Sequence, residues 1–260
     1  MEMSVYKKLG GVLYESLQAG VPVDPLTEQY PDMSIEDAYA VQQHMMARRL
    51  DSGECIVGWK IGVTSTAVMN MLSVYQPDFG CLTDKMVFNQ CEPIPADNLI
   101  QPKAEGEIAF VLKHDLQGPG VTVADVLAAT EGVMTCFEIV DSRIKDWRIK
   151  IQDTIADNAS CGALVLGDRL VNPRNVDLNT CGMVLEKNGE IVATGAGAAA
   201  LGGPANAVAW LANTLGRMGI TMKAGEIVLS GSLAIMVPVV EGDQLRVTIG
   251  GIGSCSVRFS

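Results

Sequence analysis

One stretch constrains the fold of this chain more than any other: Gln101-Pro-Lys-Ala-Glu105-Gly-Glu107-Ile-Ala-Phe-Val-Leu112. It is an apolar run after a proline, and the alternation of side chains along a strand divides it into two faces. Glu105, Glu107, Ala109 and Val111 share one face, while Gly106, Ile108, Phe110 and Leu112 share the other. Two carboxylates therefore point the same way from a strand that is otherwise apolar on both sides. Burying like charges side by side is costly unless they share protons or a cation. Two readings are open for this pair. It is either a solvated sheet edge or a site for a hard divalent ion such as Mg²⁺ or Mn²⁺, which favours oxygen ligands.

A third acid bears on that choice. Segment 133–144 is strand-like, with Met134, Cys136, Glu138 and Val140 on one face and Phe137 and Ile139 on the other. Pairing it beside the first strand would gather Glu105, Glu107 and Glu138 into an oxygen cage with positions left for water and substrate.

The remaining chemistry is narrowed by what the chain has little of. Only His44 and His114 are present, so acid–base work falls mainly to carboxylates, lysine or tyrosine. Seven cysteines, an odd number without CxxC spacing, read as reduced core residues such as Cys55, Cys136, Cys161, Cys181 and Cys255. A formal charge of −11 argues against nucleic acid and anionic membrane surfaces as partners. Residues 1–19 are amphipathic, not signal-like, and no apolar run reaches a membrane span, so a cytoplasmic location is expected.

Along the chain, Val5, Leu9, Val12, Leu13 and Leu17 form a helical stripe ended by Gly20, and Ser34 with Asp37 caps a second helix that Gly53 ends. These predict a helical N-terminal lobe, residues 1–53, serving packing and subunit contact. Residues 54–260 form the larger domain. Its first strand, 55–64, sets Lys60 on one face with Gly58 and Gly62, so the ammonium is either at the surface or turned into a cavity. A helix over 65–72 leads to a turn-rich loop, 74–80, that holds Asp78 between Pro77 and Phe79. The polar segment 153–162 suits either turns or the binding of a carboxylate ligand. Asn188-Gly189 marks a hairpin, and Pro204 starts a helix. The glycine-rich stretch 195–203 lacks the Lys-Ser/Thr ending of a phosphate loop and is not a nucleotide site. Strands dominate after the lobe with no βαβ rhythm, which predicts an α+β fold.

Five motifs occur in order: Gly58-Trp-Lys60-Ile-Gly-Val-Thr-Ser65, Gln76-Pro-Asp78-Phe-Gly80, Lys103-Ala-Glu-Gly-Glu-Ile-Ala-Phe110, Phe137-Glu-Ile-Val-Asp-Ser-Arg143 and Ala156-Asp-Asn-Ala-Ser160. Together they resemble the hydratase/decarboxylase family within the fumarylacetoacetate hydrolase superfamily, over essentially the whole chain. The resemblance implies a β-rich roll with a helical N-terminal lobe, Mg²⁺ or Mn²⁺ as cofactor, and a homo-oligomer, with a decamer as the candidate assembly. It implies a 2-hydroxydienoate substrate to which water is added in the meta-cleavage of aromatic compounds. By position it puts metal ligands at Glu105, Glu107 and Glu138, catalytic roles at Lys60 and Asp78, and substrate binding at Asp157, Asn158 and Ser160. The rival within the family is 4-oxalocrotonate decarboxylase, as the enzyme itself or as a partner that a silent subunit supports. The Gln76–Gly80 motif with its acid, and the Ser160-Cys161-Gly162 ending, resemble the hydratases. A carbon–carbon hydrolase of acylpyruvates is disfavoured, because neither histidine stands in a matching motif.

Overall fold

The computed structural model describes residues 1–72, 74–90 and 92–260, the side chains of residues 67, 71 and 72 excepted. The chain opens with helix α1 (Met3–Ala19), a single turn α2 (Leu26–Gln29) and helix α3 (Ile35–Asp51). Gly20 closes α1 in the left-handed conformation, and Ser34 and Asp37 form a full capping box at the start of α3. Leu9 and Leu13 pack on Ala38, Val41 and Met45, and the same core takes in Ile144, Ile151, Ile155 and Ala156. The N-terminal helices are thus fastened to the middle of the chain by a shared apolar core.

The next elements are β1 (Ile56–Gly62), α4 (Thr66–Leu72), β2 (Asp78–Thr83), β3 (Val87–Phe88), β4 (Pro102–Leu112), α5 (Val123–Ala129), β5 (Thr130–Asp141), α6 (Ile151–Ala156) and β6 (Cys161–Leu166). A hairpin of β7 (Gly182–Lys187) and β8 (Glu190–Ala196) turns at Asn188-Gly189, as expected. Helix α7 (Pro204–Arg217), β9 (Ile227–Leu229), β10 (Val237–Pro238), β11 (Gln244–Ile249) and β12 (Gly253–Arg258) complete the chain. Among the described residues these strands make an eight-stranded mixed sheet, in the order β2-β1-β9-β4-β5-β6-β3 with β10 also on β4, and a four-stranded sheet, β12-β11-β7-β8. The fold is α+β and strand-rich, as the absence of βαβ rhythm predicts.

Strand β4 is the hinge of the architecture. It pairs along its length with β5 and at its far end with β9. Its Gly106 face packs on the smaller sheet so closely that a Cβ there would lie 2.6 Å from Met183 Sδ and 2.8 Å from Val247 Cγ2. Ile108, Phe110 and Leu112 on that face join the main core. The opposite face, with Ala109, meets Cys136, Leu164 and Leu229 in a second apolar cluster. The sheet is covered on both sides, so Glu107 on β4 is fully buried, while Glu105 nearer the strand's start is half-buried.

Two local expectations differ. Asp78 opens β2, paired to Gly62 at the end of β1, and is not in a loop. Residues 151–156 form a helix, α6, where a polar connecting segment was expected. Six cysteines are free among the described residues, with Cys55 exposed, whereas Cys136, Cys161, Cys181 and Cys255 are buried as expected; Cys91 lies outside the described residues.

Candidate metal centre and its cavity

The register of β4 and β5 sets Glu105 directly opposite Glu138 and Glu107 opposite Cys136. One carboxylate oxygen from each of Glu105, Glu107 and Glu138 lies within 4.8 Å of the other two. Glu107 Oε2 accepts a hydrogen bond from the Gly231 N–H at 2.8 Å. Glu107 Oε1 and Glu138 Oε2 are buried without a hydrogen-bond partner, and Glu138 Oε1 meets only the Lys60 ammonium, at 3.1 Å. Burial, helped by Glu138, pushes Glu105 up to about 7 against the pull of Lys60. Burial raises Glu107 well above the ordinary carboxylate value, and it raises Glu138 despite Lys60. Two fully buried carboxylates, Glu107 and Glu138, and the half-buried Glu105 at the cavity converge on one point, an all-oxygen donor set of the kind that a hard divalent cation takes.

Lys60 stands beside this cluster, buried, with its Nζ 3.1 Å from Glu138 Oε1 and donating to the Ala159 carbonyl at 2.9 Å. Burial alone would lower its pKa, but Glu138, Asp78 and Glu105 outweigh burial and hold the ammonium above the ordinary lysine range. The small neighbours of Lys60 have separate uses. A Cβ at Gly58 would come within 1.9 Å of the Ile227 carbonyl, so the parallel pairing of β1 with β9 requires glycine. A Cβ at Gly62 would stand 2.2 Å from Asp78 Oδ1 and 3.4 Å from Lys60 Nζ. The acid and the ammonium therefore flank the same small space.

Asp78 is only 1% exposed, and neither of its carboxylate oxygens has a hydrogen-bond partner. Burial pushes it up to about 6, with Lys60 opposing the shift and Glu138 adding to it. A buried acid that titrates near neutrality and keeps its oxygens free is suited to proton transfer.

The wall facing these groups is a turn with unusual backbone. Asn158, Ala159 and Ser160 follow one another at φ of 53°, 51° and 53°, a left-handed conformation that costs a non-glycine residue about 1–3 kcal/mol. The turn delivers the Ala159 carbonyl to Lys60 and sets Ser160 Oγ 3.1 Å from Thr154 Oγ1. The expected substrate ligands separate here. Ser160 lines the cavity. Asp157 instead accepts from Arg143 Nε at 2.6 Å and from the Arg143 N–H at 2.9 Å, and the Asn158 carboxamide bonds both the N–H and the carbonyl of Cys81. Their polar atoms are taken up by the protein itself.

Lys60, Asp78, Glu105, Thr154 and Ser160 are among the polar residues that line a cavity of about 310 Å³, together with apolar groups that include Val63, Val140, Ile149 and Met236. Glu107 and Glu138 stand behind Glu105 without lining it. Trp147 closes one side, held by its indole N–H to the Gln101 carbonyl at 3.0 Å and by Lys103 Nζ at 4.1 Å from the ring centre. Thr154, Trp147 and the structural part of Arg143 escaped the sequence reading. For Arg143 a signal existed, because a guanidinium at the end of an apolar strand needs buried acceptors.

This geometry defines a strand-built carboxylate centre on a double-sheet roll, and it agrees with comparison to known proteins. The sequence profile of the fumarylacetoacetate (FAA) hydrolase C-terminal family matches residues 66–260, and the chain belongs to that family. Within it, the chain is 63% identical over 221 residues to a 2-hydroxypent-2,4-dienoate hydratase of Pseudomonas putida, spanning 85% of this chain and 100% of that protein. It is 56% identical over 253 residues to a 2-hydroxyhexa-2,4-dienoate hydratase of Comamonas testosteroni, 96% of each chain. A solved structure of 4-oxalocrotonate decarboxylase from Pseudomonas putida, complexed with magnesium and adipate, superposes with a TM-score of 0.97 at 37% identity, over 100% of this chain and 99% of that one. No helix among the described residues is long and apolar enough to cross a membrane.

Proposed function

We propose that the chain is a hydro-lyase that adds water to 2-hydroxypenta-2,4-dienoate to give 4-hydroxy-2-oxopentanoate, with Mg²⁺ or Mn²⁺ held by Glu105, Glu107 and Glu138. The observation that carries the reading is Asp78: a buried carboxylate with free oxygens, titrating at about 6, in the cavity beside Lys60 and Glu105. Hydration needs a group that handles water, whereas decarboxylation mainly needs an electron sink. The full-length likeness to dienoate hydratases supports the same choice.

A bound divalent cation supplies Lewis acidity toward the C2 oxygen of the substrate. The protein groups do the rest. Ser160 Oγ and Thr154 Oγ1 donate to the substrate carboxylate, and the apolar wall surrounds the carbon chain. In the first stage the C2 hydroxyl loses its proton and C5 gains one, leaving a 2-oxo-3-enoate. Lys60, protonated throughout the working range, supports the negative charge that develops on the C2 oxygen. In the second stage water attacks C4, Asp78 takes a proton from that water, and C3 receives a proton, which completes the addition. Asp157 and Asn158 contribute by supporting the turn that bears Ser160. The reading includes a cytoplasmic homo-oligomer able to associate with 4-oxalocrotonate decarboxylase.

The rival reading, decarboxylation of 4-oxalocrotonate, is favoured by the fold likeness to that decarboxylase. Turnover of both compounds by the isolated protein with added Mg²⁺ or Mn²⁺, with products identified by mass spectrometry, decides between them. Hydration of the dienoate is expected. Release of CO₂ from 4-oxalocrotonate without hydration of the dienoate would reverse the assignment.

A further inference from the structure

The proposed chemistry gives Arg143 no part and places Asp157 and Asn158 only as supports of the turn that bears Ser160. The Arg143 guanidinium is fully buried. It donates to Asp157 Oδ1 at 2.6 Å, to the Asp157 carbonyl at 2.5 Å, to the Cys161 carbonyl at 2.9 Å and to the Asp141 carbonyl. It therefore ties the end of β5 to both ends of the turn. Asn158 makes the matching tie on the other side. Its Oδ1 accepts from the Cys81 N–H at 2.8 Å and its Nδ2 donates to the Cys81 carbonyl at 2.9 Å. Cys81 belongs to β2, the strand that Asp78 opens, so the carboxamide serves as a strand partner for the element carrying the acid. Between these ties three successive non-glycine residues hold positive φ, a conformation that persists where the surroundings impose it.

We propose that Arg143 and Asn158 are positioning residues for the reaction: the turn they hold fixes Lys60 through the Ala159 carbonyl and aims Ser160 Oγ into the cavity. The separation of Lys60 from Asp78 is then set from two sides. On one side β1 pairs with β2 at Gly62 and Asp78. On the other, Asn158 joins the turn under Lys60 to the same strand. The proposal rests on the hydratase reading for the reaction it serves, but the geometry of the turn does not.

Two substitutions test it. Asn158→Gly keeps a residue suited to the left-handed backbone and removes the tie to Cys81. Ala159→Gly leaves every hydrogen bond in place, frees the backbone and removes one buried methyl group at the cavity wall. The measurements are kcat and KM for the dienoate with Mg²⁺, calorimetric affinity for Mg²⁺, calorimetric affinity for the unreactive analogue 2-oxopentanoate in the Mg²⁺-loaded protein, and thermal melting. Misplacement of reacting groups predicts a fall in kcat of about 100-fold for Asn158→Gly and roughly tenfold for Ala159→Gly. KM is expected to move less than kcat, and affinity for Mg²⁺ to stay at the wild-type value. Wild-type kcat in a folded Asn158→Gly protein overturns the proposal. So does a loss of kcat in Asn158→Gly that only tracks loss of folded protein and of Mg²⁺ binding. If Asn158→Gly does not fold, Asn158→Ser, which also removes the paired tie to Cys81, decides in its place by the same measurements. If the wild type does not hydrate the dienoate, the hydratase reading fails by itself, and 2-oxopentanoate then decides: weaker binding in the variants with Mg²⁺ binding intact supports the positioning role, and unchanged binding removes it.

Discussion

Two buried charge clusters lie side by side in this molecule and are finished differently. Around Arg143 the guanidinium and the Asp157 carboxylate are each 0% exposed, and their polar atoms are matched by one another, by backbone carbonyls and by a backbone N–H. Around Lys60 the burial is similar, yet Asp78, Glu107 and Glu138 keep oxygens with no hydrogen-bond partner. Leaving a buried polar group unpaired costs about 1–3 kcal/mol, and more for a charge. A chain that saturates one cluster and leaves its neighbour unsaturated has separated two uses of buried charge: the satisfied ions hold shape, and the unsatisfied ones are the groups to which the proposed chemistry is assigned.

The largest effect that tests this contrast is expected at Glu107. Glu107→Gln keeps the shape and the bond from the Gly231 N–H but removes a charged oxygen. Turnover with Mg²⁺ should fall by more than the roughly 100-fold typical of losing a mere outer-shell partner of a metal, with circular dichroism unchanged. Retained activity would mean that the cluster is not a metal cage. Asp78→Asn comes next. Loss of a general base lowers kcat by about 10²–10⁴-fold, and metal affinity measured by calorimetry should not change. In the wild type the raised carboxyl must lose its proton to act, so kcat/KM should climb as pH rises through about 6. That limb should disappear in Asp78→Asn, and a limb that survives belongs to another group. The third effect is on stability. Arg143→Met strands the Asp157 carboxylate, and breaking a buried pair in this way costs about 3–5 kcal/mol. Urea denaturation reads that loss, while Asp78→Asn, which removes an unpaired buried charge, should melt no lower than the wild type. Equal behaviour of these two variants would erase the distinction between the clusters.

Much of this contrast is legible in the amino-acid order, and the illegible part has a common cause. The alternation along β4 places Glu105 and Glu107 on one face, and the same rule places Glu138 on β5. The capping box at Ser34 and the Asn188-Gly189 hairpin are likewise local and appear where expected. Asp78 was expected in a loop because Pro77 and Gly80 punctuate turns, yet pairing with β1 extends a strand through it. Tertiary pairing overrode turn chemistry. Helix α6 was hidden in the same way, since Ile151, Ile155 and Ala156 form it by burying an apolar side against the N-terminal helices. For Asp157 and Asn158 the difficulty is direction. A polar side chain next to a site can face the ligand or the backbone, and only the placement of Arg143 and Cys81 determines that they face the backbone.

The register of β4 on β5 also bears on how the chain assembles. That ladder is the backbone of the larger sheet, and it closes only by bringing Glu105 directly across from Glu138. Like charges directly opposite one another on paired strands are destabilising. The Lys60 ammonium, 3.1 Å from Glu138 Oε1, offsets part of that repulsion, so β1 supplies a counter-charge that the ladder of β4 and β5 lacks within itself.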